Sequence, residues 1–399
     1  MNSQLKDHRE IGRELDLFSF HEYAPGAIFW HPKGWTIYRT LLEYLRSITN
    51  VQGYQEISTP ALVKSKLFEK SGHWKHFKEN MFNFQVENEM YSLKPMNCPE
   101  STLVFSSKTR SYADLPLRLS EYGILHRNEL TGVLGGAFRV RQFTIDDAHI
   151  FVRPDQIQQE IDNLLKLVIE VYKSLGFNPR FYLATKPDKA MGDQKTWDEA
   201  EADLEKALKD SEVKYDIKPK EGAFYGPKID IHIDDSQGRD WQLATIQLDF
   251  QQPESMDIAY IDKDGGKKRP VMIHRGLTGS LERFIGILTE HFQGTFPVWL
   301  SPVQAIVLPL SDKFTTYAQK VAKELESAEI RVELDNRNET LQAKIRDSAL
   351  QKIPYALVVG GREEETNKVA ARTRDGKDHG QMTVGDFVKK IKEDIDKKS

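Results

Sequence analysis

One cysteine, Cys98, is the only thiol in 399 residues. No intrachain disulfide can staple this fold, and a reducing compartment suits it. Nowhere do the roughly 20 consecutive apolar residues needed to cross a bilayer occur. The opening MNSQLKDHRE is polar and has no apolar core, so it reads as no secretory signal. A cytoplasmic protein without a membrane partner is the expectation. Basic charge is not in excess either: 56 Lys and Arg against 60 Asp and Glu leave −4. Nucleic-acid binders are more often basic, although local patches of Lys and Arg can bind RNA on a near-neutral total. Internal repeats and low-complexity tracts are absent. Composition alone leaves a cytosolic enzyme and an adaptor equally open.

The length suits two or three domains. Residues 1–30 read as an N-terminal arm, with a short polar helix through Asp16 and a turn at Pro25-Gly26. From Gly34 to Thr49 the residues Trp35, Tyr38, Leu41, Leu42, Leu45 and Ile48 recur at helical spacing. A strand is expected from Tyr54 to Ile57, before Pro60. Residues 81–150 alternate short strands with polar loops, which predicts antiparallel sheet. Helices are expected over 155–176 and 197–210, strands over 229–234, 241–250 and 270–274, and a helix from Ser280 to Phe292. Past Trp299-Leu300-Ser301-Pro302 the pattern becomes strand, helix, strand, helix, strand, ending on Tyr355–Val359. That alternation predicts a separate α/β domain with parallel strands.

Several polar residues could carry chemistry. Arg127 and Glu129 lie in LHRNE, and Arg139 in FRVRQFTIDDAHIF. Between them, Gly132, Gly135 and Gly136 mark a flexible hairpin loop. Two arginines flanking such a loop can grip a polyphosphate, because the guanidinium binds phosphate bidentately and keeps its charge. Arg283, in GSLERF at the start of an apolar helix, is a third candidate. A lone arginine is most often a surface ion-pair partner. Cys98 in KPMNCPES, His149 in DDAHIF and His274 in VMIHRG could together bind zinc and leave a position open for substrate. Their spacing shows no short-range metal pattern, so the bland alternative is a small buried Cys and two satisfied core histidines. On a strand, Asp147 would share a face with His149. GAFYGPKID makes a tight turn around Tyr225, and WQLATIQLDF sets Gln242 and Thr245 on strand-like sequence.

Together these segments resemble the class II aminoacyl-tRNA synthetases. Residues 34–60 look like motif 1, Arg127–Phe143 like motif 2, and GSLERF like motif 3. Within that class KPMNCP, RNE, RVR, DDAHIF, GAFYGPKI, TIQLDF and HR…GSLERF follow the order found in threonyl-tRNA synthetases, and the resemblance covers nearly the whole chain. It implies an α+β catalytic domain over 31–298, an antiparallel sheet flanked by helices. A smaller α/β anticodon-binding domain would follow over 299–399.

The resemblance also implies roles. Cys98, His149 and His274 would hold one zinc ion, which threonine would bind through its amine and hydroxyl. Asp147 would accept from the threonine hydroxyl, and Tyr225 would help with the amine. Arg127 would touch both the threonine carboxylate and the ATP α-phosphate. Glu129, Arg139, Phe143, Gln242, Thr245 and Arg283 would bind ATP, which comes with Mg2+, and Phe143 would stack under adenine. Asn338, Glu363 and Arg372 would read the anticodon of a threonine tRNA. Motif 1 implies a homodimer. Departures are Glu100-Ser101 where the family shows Gly-His, Ile145 where many members have Gln, and Leu243-Ala244 in place of a Cys-Gly pair. Typical bacterial members carry further N-terminal domains that hydrolyse seryl-tRNA. The present chain starts at the catalytic core, so uncorrected serine mischarging is expected of it. The alternative reading is a paralogue that binds or regulates without charging.

Overall fold

The computed structural model describes residues 5–398, which divide into two compact units, each discontinuous in sequence. The larger comprises Phe20–Ile28 and Arg46–Gly286. The smaller gathers the described residues up to Ser19, then Phe29–Leu45, then those from Ile287 on. Among the described residues, no helix is long and apolar enough to cross a membrane.

An eight-stranded sheet forms the centre of the larger unit. Its order is Tyr215–Lys218, Arg180–Ala184, Lys228–Asp234, Asp240–Asp249, Val271–Gly276, Gln142–Val152, Leu117–His126, Gln55–Glu56. The six inner strands pair antiparallel, and only the two outermost strands add in parallel. This is the antiparallel α+β core that the alternation of short strands and loops predicts.

Period-2 alternation gives the sheet two different faces. Along Gln142–Val152, Ala148, Ile150 and Val152 point to one face and have no exposure. The helix Ile157–Ser174 buries Ile157, Ile161, Leu164, Leu165, Val168 and Val171 along one stripe, as its spacing predicts. Its Tyr172 hydroxyl donates to the Leu277 carbonyl at 2.7 Å, fastening the helix beside the end of Val271–Gly276. The opposite face carries His149 and Phe151. Phe151 belongs to an apolar cluster with Leu117, Leu119, Met272 and Phe105, and the Phe105 and Phe151 rings lie 4.4 Å apart. Phe105 sits on the helix Cys98–Ser106. Its packing therefore seats the start of that helix, and with it Cys98, over the sheet.

The helix expected from Gly34 runs Pro32–Val51. Its buried stripe is Ile37, Tyr38, Leu41, Leu45 and Thr49, while Trp35 is 45% exposed and stacks on Tyr38. The apolar count places Trp35 inside, but the buried arc lies further round the helix and ends on a threonine.

The smaller unit holds a five-stranded sheet ordered Val332–Leu334, Ala305–Pro309, Tyr355–Val359, Lys368–Thr373, Asp378–Thr383. The first three strands are parallel, as the alternation predicts, and the last two extend the sheet antiparallel. Ala305–Pro309 and Tyr355–Val359 are apolar throughout because both faces are covered. Val307, Leu357 and Val359 pack with Val321, Leu325 and Phe387. Ile306, Leu308 and Val358 pack with Leu341 and Ile345.

Candidate active site

Strand register assembles the site. His274 lies directly opposite His149, and Gln247 directly opposite His274, so the three side chains form one row across the sheet. Cys98 reaches the same place from its helix. One ligand atom from each of Cys98, His149 and His274 falls within 4.8 Å of the other two, and all three residues are buried. Residues 51 and 125 positions apart in the chain thereby become one donor set.

That set suits a metal ion. His149 Nδ1 is buried without a hydrogen-bond partner among the described residues. Burial pushes the His149 pKa well below the ordinary imidazole value, leaving a neutral ring with a lone pair to give. His274 Nε2 meets Asp249 Oδ2 at 2.9 Å. A proton on Nε2 puts the free lone pair on Nδ1, the pattern by which a carboxylate orients a metal-binding histidine. With no cation beside it, the Cys98 thiol is driven well above its usual pKa by burial and then by Asp147, and a divalent cation would reverse that preference. Cys98 Sγ also lies 3.5 Å from His73 Nε2.

A cavity of about 310 Å3 opens over this set. Arg127, Asp147, Tyr225 and Thr245 line it with the three donors, and so does Ile145. Asp147 is one strand step from His149, with 3.8 Å between Asp147 Oδ2 and His149 Nε2. Burial raises the Asp147 carboxyl to about 7. Asn97 Nδ2 donates to Asp147 Oδ2 at 3.2 Å. Asn97 fits because Gly123 lies beneath it: a Cβ there would stand 2.3 Å from Asn97 Oδ1. The Tyr225 hydroxyl donates to Gln247 Oε1. Arg127 Nε donates to the Pro95 carbonyl, and its guanidinium sits 5.1 Å from the centre of the Phe143 ring. The ring that the resemblance assigns to adenine thus carries Arg127 on one face.

The nucleotide candidates form a second group. Glu129 accepts from Arg139 Nε at 3.0 Å, and Arg283 Nε donates to the Phe138 carbonyl at 2.8 Å. Burial, then the Arg139 charge, lowers the Arg283 pKa, so an anion placed between these two arginines relieves their repulsion. Gln242 and Thr245 both donate to Asp230 Oδ1, at 2.6 and 3.4 Å. Plain alternation sets positions 242 and 245 on opposite faces. A bulge corrects this: Ile231 pairs with Ala244 but His232 with Gln242, so Leu243 is the extra residue.

Asn338, Glu363 and Arg372 belong to the smaller unit, on three different segments. Asn338 is exposed in the stretch after Val332–Leu334. Glu363 is buried, accepting from Gly360 N at 3.0 Å and from Gln381 Nε2. Arg372 is exposed and pairs with Asp378 at 3.0 Å.

Sequence reasoning omitted several residues that touch the site. Gln247 and Asp249 follow Thr245 at two-residue steps in TIQLDF, and Asn97 adjoins Cys98; period and proximity could have found all three. His73 stands 25 positions before Cys98 in SGHWKHF and carries no comparable signal.

Glu282, beside Arg283, offers a test of pH dependence. Both its oxygens accept from Thr144 N, at 3.1 and 3.0 Å. Burial pushes its carboxyl from 4.5 up to about 8. A folded-state pKa above the unfolded one gives stability that is complete below about pH 4.5 and lost as pH rises toward 8. Urea titrations between about pH 5 and pH 8 should show wild type losing on the order of 4 kcal/mol more than Glu282→Gln. Equal slopes for the two proteins would contradict the assignment.

The family described as tRNA synthetase class II core domain (G, H, P, S and T) matches residues 82–292, and the anticodon binding domain family matches 304–394. A threonine–tRNA ligase of Caldanaerobacter subterraneus subsp. tengcongensis is 51% identical over 390 residues, covering 98% of this chain and 61% of that ligase. One from Desulforamulus reducens is 50% identical over 394 residues, covering 99% and 62%. The chain thus spans about three fifths of the length of the curated relatives it matches. A crystal structure described as the RNA binding domain of threonyl-tRNA synthetase from Cryptosporidium parvum Iowa II aligns with a TM-score of 0.96 and 41% identity. That alignment covers 97% of this chain and 98% of the other.

Proposed function

The chain belongs to the threonyl-tRNA synthetase family of class II tRNA synthetases, and on that premise we propose that it is a threonine–tRNA ligase. It activates threonine with ATP and passes it to the 3′ end of a threonine tRNA. The observation that carries this reading is the single cavity shared by Cys98, His149, His274, Asp147 and Arg127.

In the first step a threonine carboxylate oxygen attacks the α-phosphorus of ATP, and the bond to pyrophosphate breaks. This chemistry needs positioning and charge neutralisation more than a protein nucleophile. Arg127, at the cavity wall, is placed to hold the carboxylate against the α-phosphate. Arg283 and Arg139 neutralise the phosphates, and Mg2+ accompanies the nucleotide. Glu129, Phe143, Gln242 and Thr245 complete the ATP site. In the second step a hydroxyl at the tRNA 3′ end attacks the threonyl carbonyl carbon, and AMP leaves.

Cys98, His149 and His274 would hold one zinc ion. When bound, zinc supplies a Lewis-acidic centre that favours a side chain bearing a hydroxyl. Asp147, beside it, accepts from that hydroxyl, and Tyr225 faces the amine. A merely apolar pocket separates threonine from valine only about 100-fold, which is why a polar requirement matters.

Residues 31–298 form the catalytic domain in this reading. Residues 299–399 bind the anticodon through Asn338, Glu363 and Arg372. The protein works in the cytoplasm as a homodimer joined through residues 34–60. Threonine-dependent ATP–pyrophosphate exchange, charging of purified tRNA, metal analysis and sedimentation on one preparation test these statements together. Absence of exchange with threonine would reject the ligase and leave the non-charging paralogue.

A further inference from the structure

The segment Phe20–Ile28 and the loop between Arg127 and Arg141 lie in the same unit, and one side chain joins them. Arg141 Nε donates to the Glu129 carbonyl at 2.9 Å, Nη2 to Thr131 Oγ1 at 3.1 Å, and Nη1 to the Pro25 carbonyl at 3.5 Å. Its backbone N–H donates to the Gly26 carbonyl at 2.6 Å, and its own carbonyl accepts from Arg127 N at 2.8 Å. Among the described residues no carboxylate pairs with Arg141. Its planar fork is spent on three neutral oxygens from two chain segments, as a bracket rather than as half of an ion pair.

The turn on the other side of the bracket is shaped to admit it. Gly26 has φ +82°, the left-handed region that favours glycine. A Cβ at Gly26 would also stand 2.9 Å from Arg141 Cγ and 3.0 Å from Arg141 N. Glu129, held through its carbonyl by Arg141, is held through its carboxylate by Arg139. The far limb of the loop has a separate anchor, the Phe138 carbonyl on Arg283 Nε.

We propose that the Pro25–Gly26 turn and Arg141 form a latch that fixes the near limb of this loop, making Arg141 a positioning residue for Glu129 and so for the nucleotide. The nucleotide clause rests on the function proposed above; the latch itself does not. A lysine in this place keeps the charge but cannot serve three acceptors spread over two segments, so Arg141→Lys should behave like Arg141→Ala.

The test is hydrogen exchange on the ligand-free protein, paired with kinetics. In both variants, amides of residues 128–139 should exchange at least about tenfold faster than in wild type, while those of Gln142–Val152 keep their protection. The KM for ATP in pyrophosphate exchange should rise at least about fivefold, with the KM for threonine within about twofold of wild type. Thr131→Val, an exposed change that removes one acceptor, should speed loop exchange about two- to threefold and serves if the Arg141 variants fail to fold. Wild-type exchange rates over 128–139 in the variants would overturn the latch, as would full rescue by lysine. Equal rises in both KM values would remove its link to the nucleotide. A wild-type protein without pyrophosphate exchange would reject the ligase reading, and hydrogen exchange would still decide the latch.

Discussion

His274→Ala is expected to purify without zinc and to lose at least about 100-fold in threonine-dependent pyrophosphate exchange. Among the described residues Cys98, His149 and His274 form the donor set, and His274 is hydrogen-bonded to a carboxylate, Asp249, which has no exposure of its own. Without the imidazole, two donors remain, too few to hold zinc against dialysis. The fold should survive, because Asp249 keeps its bonds from Gln251 N and Gln252 N at 2.7 and 2.9 Å. Elemental analysis after dialysis, beside a circular dichroism spectrum, separates loss of metal from loss of structure. One zinc per chain retained in His274→Ala would mean that the donor set is misassigned.

The second large effect concerns stability. Arg275 and Asp146 form an ion pair with no solvent exposure of either residue. Asp146 accepts from Arg275 Nη1 and from Leu277 N and Thr278 N at 3.0 and 3.1 Å. Each partner adjoins a site residue in sequence, Arg275 after His274 and Asp146 before Asp147. Arg275→Met strands a buried carboxylate, and breaking such a pair from one side costs about 3–5 kcal/mol. A guanidinium titration should show that loss. The double change Arg275→Met with Asp146→Asn should cost less than the sum of the single changes, since it removes the uncompensated charge as well. Strict additivity would show that the two residues act independently.

These residues also mark how far the sequence could be read. Local pattern was enough for the helix Ile157–Ser174, whose apolar stripe needs no partner to be visible, and for the apolar strands Ala305–Pro309 and Tyr355–Val359. Pairing between distant strands was not legible. Nothing in DDAHIF or VMIHRG states that His149 faces His274, and spacing alone favoured two ordinary core histidines. Resemblance to known synthetases, not periodicity, points to Cys98, His149 and His274 as one set. Gln242 shows a finer limit: alternation sends it away from Thr245, and only the extra residue Leu243 returns it to Asp230. Trp35 failed for a different reason. Apolar spacing reports that a helix has a greasy side, but the width of the arc that neighbours cover is a tertiary fact.

The two units are threaded differently along the chain, and this bears on the order in which a ribosome delivers them. The larger unit draws on nothing beyond Gly286, so all its strands exist before the residues from Ile287 on are made. The smaller unit needs the helix His8–Glu14 and the stretch Phe29–Leu45 together with Ile287 onward. Its first pieces emerge early and must wait for the last ones. Vectorial synthesis therefore favours completing the sheet that carries His149 and His274 first, with the other unit closing late around segments already outside the ribosome. The closure joins His8–Glu14 to residues from Ile287 on, and contacts of such separation are made slowly. A nascent chain long enough for Gly286 to have left the ribosome, but still lacking Tyr355–Val359, would hold the complete eight-stranded sheet while the early segments of the smaller unit still lack their core.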